Sequence, residues 1–126
     1  MEITELIETI VDCAKTVRSK LVHGYEEKVY KNAMFIEMKK RGLKVETEVP
    51  FEVRYDGIVV GQYRSDMIVD HRVILELKAI TNLNVIHSVQ LVNYLNVSGI
   101  EDGLLINFGS EKLEIKHKTR TYHLPA

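Results

Sequence analysis

The sequence predicts an α/β or α+β domain in which helices cover a mixed sheet. Three observations carry that expectation. Apolar residues recur at helical spacing through the first forty positions, alternation and β-branched residues take over from Leu43, and one more helical stretch separates two later groups of strands. Composition agrees: 126 residues, 45% apolar and 28% charged, with 7 Gly and 2 Pro, suit one domain over residues 1–126 and exclude a disordered or collagen-like chain.

The first helix is predicted over residues 3–20. Ile3, Leu6, Ile7, Ile10, Val11, Ala14 and Val17 fall three and four apart, leaving Glu5, Glu8, Lys15 and Arg18 on the wet side. His23-Gly24 is expected to end it, since glycine accepts a left-handed cap. A second helix follows over residues 25–40, with Val29, Ala33, Ile36 and Lys40 along one stripe and Tyr30, Met34 and Met38 beside it. Arg41-Gly42 closes that helix, after a last turn whose cations suit the helix dipole.

Beyond Leu43 the pattern is extended. Pro50 interrupts the first run, so that strand is expected to be short, bulged or at a sheet edge. Asp56-Gly57, set between Val53-Arg54-Tyr55 and Ile58-Val59-Val60, signals a tight hairpin. Strands are predicted over residues 64–69 and 73–80, joined by Asp70-His71-Arg72. A third helix over residues 84–97 stops before Gly99, and strands over residues 104–107 and 113–116 complete the chain.

Charge and cysteine content bound the function. The formal net charge is -1, so no global positive field draws in nucleic acid, and any phosphate-binding role rests on a local site. The basic groups Lys39, Lys40, Arg41 and Lys44, and Lys112, Lys116, Lys118 and Arg120, have acids interspersed and read as solvated faces. No apolar run approaches the ~20 residues a bilayer crossing needs, so no membrane role is expected. The acidic start does not resemble a secretory signal, and the single Cys13 reads as a small core residue, so a reducing, cytoplasmic setting is the default. His71 reads as a turn residue at the hairpin tip, and His23, His117 and His123 lack metal-ligand spacing, which with no Cys/His cluster argues against zinc.

The chemistry-bearing residues lie mid-chain. A Glu-x-Lys pattern occurs four times, at Glu26/Lys28, Glu37/Lys39, Glu76/Lys78 and Glu114/Lys116, so it means little alone. Glu76/Lys78 differs because apolar residues surround it on both faces of its strand. Alternation places Ile74, Glu76 and Lys78 on one face and Val73, Leu75, Leu77 and Ala79 on the other. An ion pair of purely structural value is one reading. The other follows from the preceding strand: if Val69 pairs with Val73, Asp66 falls opposite Glu76, and two carboxylates share a patch with one amine. Like charges that close need a cation, and such oxygen ligands suit Mg²⁺. A two-residue loop would put Asp66 on the opposite face and remove the site. On the third helix His87, Gln90 and Tyr94 share a face, away from Val85, Val89 and Val92. On the second, Glu27 shares a face with Tyr30.

The arrangement Gly24-x-x-Glu27-x-x-Tyr30, Asp66, Glu76-x-Lys78 and Gln90-x-x-x-Tyr94 resembles the GxxExxY family of the PD-(D/E)XK nuclease superfamily. The resemblance runs from Gly24 to the Asn107-Phe108-Gly109 segment. It implies a restriction-endonuclease-like core, a central mixed sheet of about four strands flanked by helices, with the site on the central hairpin. It implies Asp66 and Glu76 as metal ligands, Glu27 as a helix acid that supplements them, and Lys78 as the cation that orients the attacking water and steadies charge on phosphate. Gln90 and Tyr94, with Tyr30 and His87 near them, are implied as supporting or substrate-binding residues. Ser65 stands where the superfamily's proline would be, a common departure.

The activity implied is hydrolysis of nucleic-acid phosphodiester bonds, most simply DNA, with Mg²⁺ as cofactor and Mn²⁺ able to substitute. The small size leads us to expect a homodimer or a larger partner for gripping a duplex. The alternative is a non-catalytic nucleic-acid-binding or protein-assembly module that keeps the fold.

Overall fold

A computed structural model describes residues 1–120, so His123 lies outside the described residues. The N-terminal apolar stripe forms helix α1 (Ile3–Lys20), which buries Leu6, Ile10, Cys13, Ala14 and Val17. The helix stops at Lys20 with Leu21 as its cap, earlier than the expected stop at His23-Gly24, and Gly24 takes φ +116 within the connecting loop.

Helix α2 (Glu27–Lys40) starts two residues later than predicted and buries a different stripe. Tyr30, Met34 and Met38 are fully buried, whereas Val29 and Ile36 are exposed. The reason lies at Tyr30. Its ring stacks on Phe108 at 4.7 Å, and its hydroxyl donates to the Val22 carbonyl at 2.6 Å, fixing the rotation of the helix. Lys40, on the other stripe, stays in water beside Glu37.

Two sheets follow. The main one has five strands, in the order β1 (Val45–Thr47), β4 (Met67–Val69), β5 (Val73–Lys78), β6 (Asp102–Asn107) and β7 (Glu114–Thr119). Only β5 and β6 run parallel, joined by helix α3 (Val85–Ser98). The three-residue edge strand β1 brings the count to five, one above the expected number. Strands β2 (Pro50–Tyr55) and β3 (Ile58–Arg64) make a separate hairpin. Its turn is the expected one, with Asp56 and Gly57 both at positive φ, and a register shift lies at Val53/Arg54.

The sheet divides the core by strand alternation. Val73, Leu75 and Leu77 join α1 and α2, while Ile74 joins Ile68, Leu105 and the α3 residues Leu91 and Leu95. Those two leucines form the packed face of α3, and Val85 and Val89 are exposed. No helix among the described residues is long and apolar enough to cross a membrane.

Strand β5 ends at Lys78, because the chain turns at Ala79-Ile80 against Gly109. A Cβ on Gly109 would lie 2.3 Å from the Ile80 nitrogen and 2.4 Å from the Ala79 carbonyl carbon. Backbone cannot yield as a side-chain tip does, so Gly109→Ala is expected to lose at least the ~1–3 kcal/mol typical of overpacking. A urea midpoint unchanged from wild type would contradict this.

Candidate active site

The register that decides the site is set by a turn. Asp70 and His71 both take left-handed conformations, at φ 50 and 58, and the Arg72 N–H donates to the Val69 carbonyl at 2.9 Å. Val69 therefore pairs with Val73, Ile68 with Ile74 and Met67 with Leu75. The predicted strand over residues 64–69 is divided at Ser65-Asp66, where the chain passes from the β2–β3 hairpin into the main sheet. Asp66 consequently stands at a break. Instead of a ladder bond, its N–H donates to Glu76 Oε2 at 3.1 Å. Its own Oδ2 accepts from the Leu77 N–H at 2.8 Å, and Oδ1 faces Lys31 Nζ on α2 at 3.6 Å.

Two carboxylates are thus interlocked through each other's backbone neighbourhood. Glu76 is pushed up to about 7, first by burial and then by the negative charge of Asp66. Hydrogen bonds from the Asp66 N–H and the Tyr63 hydroxyl, with the Lys78 charge, pull the other way. Glu27, at the start of α2, is also raised, by burial and then by Asp66, while Lys78 and Lys31 oppose the shift. Glu27, Asp66, Glu76, Lys78 and Lys31 therefore act on one another electrostatically at one end of β5. The described residues hold no group of three or more His, Cys, Asp or Glu side chains gathered as a metal cage. Glu27 faces the Asp66–Glu76 pair without closing on it.

The remaining predicted residues divide. Tyr94 reaches the site: its ring stacks on Tyr63 at 3.5 Å between centroids. Gln90 is exposed on α3. His87 is committed to the start of that helix, where its Nδ1 accepts the Asn84 N–H at 3.0 Å. Tyr30 is 0% exposed, so its part is to hold α2 and Glu27 in place, and no surface is left for a substrate.

Two residues escaped the sequence reading. Lys31 lies between Asp66 and Glu48, and the spacing of four from Glu27 on one helix was its available signal. Tyr63, 6% exposed, gave none beyond strand alternation. A cleft of about 670 Å³ opens beside Lys31, lined by residues that include Glu27, Phe35 and Glu48.

A mixed sheet with Glu76 and Lys78 on β5 and Asp66 just before the antiparallel strand β4, with helices on both faces, has the architecture of restriction-endonuclease-like proteins. The family model described as PD-(D/E)XK nuclease superfamily matches residues 4–119. This chain belongs to that superfamily. The crystal structure of SSO0001 is similar in fold, with a TM-score of 0.62 at 20% identity over 76% of this chain and 51% of that one. The chain thus spans about half the length of that protein. No curated protein matches it.

Proposed function

We propose that the protein is a divalent-metal-dependent nuclease of the GxxExxY type, cutting DNA at a site built on Asp66, Glu76 and Lys78. The observation that carries this reading is the Asp66–Glu76 pair. Two neighbouring oxygen donors, one of which has its proton affinity raised by the charge of the other, fit a hard cation, which would relieve the repulsion between them. Asp66 and Glu76 would hold Mg²⁺ or Mn²⁺, with Glu27 supplementing them. The bound ion supplies a water of lowered pKa and neutralises charge on phosphate. Lys78 would add a positive charge beside that phosphate, and Gln90 and Tyr94 would support the site from α3.

The test is cleavage of end-labelled single- and double-stranded DNA and RNA in Mg²⁺, Mn²⁺ and EDTA, with Asp66→Ala alongside. Cutting of DNA that needs the metal and disappears in the variant is the expected result. A folded protein that cuts nothing in any metal would favour a non-catalytic binding module. Cutting confined to RNA would correct the substrate and leave the site standing.

A further inference from the structure

Glu76 is gripped by a side chain to which the proposed chemistry gives no task. The Tyr63 hydroxyl donates to Glu76 Oε2 at 3.0 Å, and the same oxygen accepts the Asp66 N–H at 3.1 Å. Two donors on one oxygen fix the carboxylate's rotation about its last bond and leave Oε1 outside both bonds. Burial and the adjacent Glu76 and Asp66 charges hold the phenol well above its ordinary pKa, so it stays a donor.

Two other rings stack on the phenol ring. Tyr94 stacks on it with planes 10° apart, and Phe51 of β2 stacks at 5.9 Å and 16°. Both contacts oppose a tilt that would carry the hydroxyl away from Glu76. Tyr63 ends the β2–β3 hairpin and Tyr94 belongs to α3, so the contact ties three separate elements to one carboxylate.

We infer that Tyr63 is the positioning residue for Glu76: its hydroxyl sets the orientation in which that carboxylate receives the metal, and Tyr94 in turn sets Tyr63. This rests on the metal site proposed above. Partners that orient ligating carboxylates typically account for 10–100-fold in metal affinity. A tyrosine that only fills space would contribute to stability and leave affinity alone.

The experiment is calorimetric titration of the whole protein with MnCl₂, for wild type, Tyr63→Phe and Tyr94→Leu, with circular dichroism of each. Tyr63→Phe keeps the ring and loses only the hydroxyl, and it is expected to bind Mn²⁺ about 10–100-fold more weakly while remaining folded. Tyr94→Leu keeps the hydroxyl and loses the stack, and a smaller weakening is expected. Wild-type affinity in Tyr63→Phe would overturn the inference and leave the metal site intact, and wild-type affinity in Tyr94→Leu alone would overturn the part assigned to Tyr94. A wild-type protein with no affinity for Mn²⁺ would overturn the inference together with the metal site beneath it.

Discussion

Glu76→Gln is expected to end cleavage and, in metal-free protein above pH 7, to raise the Tm. A glutamine carbonyl still accepts from the Tyr63 hydroxyl and the Asp66 N–H, so the local geometry survives. What disappears is the charge. Glu76 is pushed up from 4.5 to about 7 in the folded protein. Between those values the folded state holds a proton that the unfolded chain has released, so the stabilising contribution is complete below pH 4.5 and is lost as pH rises through 7. Each pKa unit is worth 1.36 kcal/mol, which puts the loss at roughly 3 kcal/mol at pH 8. Glutamine does not ionise and escapes that loss. The measurement is Tm in EDTA for both proteins at pH 5.5 and pH 8. A wild-type deficit of several degrees at pH 8 that shrinks to about half or less at pH 5.5 is expected. A difference independent of pH would refute the assignment of charge strain to Glu76.

Lys78→Ala is expected to reduce cleavage by about 10²–10³-fold, the usual cost of removing one group that meets transition-state charge. The fold should persist, because the structural bond at this position is made by the Lys78 carbonyl, which accepts the Phe108 N–H at 2.8 Å. Metal binding should respond differently. Lys78 lowers the proton affinity of both Glu27 and Glu76, so without it both acids hold protons to higher pH. Mn²⁺ affinity in Lys78→Ala should therefore match wild type at pH 8 and fall below it near pH 6.5. An equal loss of affinity at both values would place Lys78 in metal binding and not in the chemical step. Arginine is not expected to rescue, since its planar fork cannot replace a compact ammonium on a half-buried strand.

How much of this was readable beforehand follows from which interactions are local. The Asp56-Gly57 hairpin and the Val69–Val73 register were legible because each is determined by a few adjacent residues and by strand alternation. The same alternation correctly separated Val73, Leu75 and Leu77 from Ile74. The buried stripe of α2 was not legible. It depends on Phe108, 78 positions from Tyr30, and nothing near Val29 or Ile36 announces that contact. The break at Ser65-Asp66 was hidden for a related reason. It arises where Val49 and Glu48 pair with those residues, the Ser65 N–H donating to the Val49 carbonyl and the Glu48 N–H to the Asp66 carbonyl. Asp66 and Glu76 were found together because a single hairpin joins them. Tyr63 and Tyr94 come from different elements and meet only in the folded protein.

The parallel pairing of β5 with β6 sets a timetable for assembling the site. The β4–β5 hairpin closes through a short turn, so Glu76 can approach the neighbourhood of Asp66 early in folding. Parallel pairing must wait for the whole α3 crossover to be laid down, a longer loop whose closure entropy slows formation. Phe108, which anchors Tyr30 and hence the helix carrying Glu27, follows directly after β6. Tyr94 rides on the crossover itself. The two repelling acids are therefore brought together by local chain geometry, and the Tyr94 stack on Tyr63 and the Phe108 anchor of α2 arrive afterwards. A chain in which the crossover has not docked would carry the acid pair without the Tyr94 stack and without the Phe108 anchor of α2.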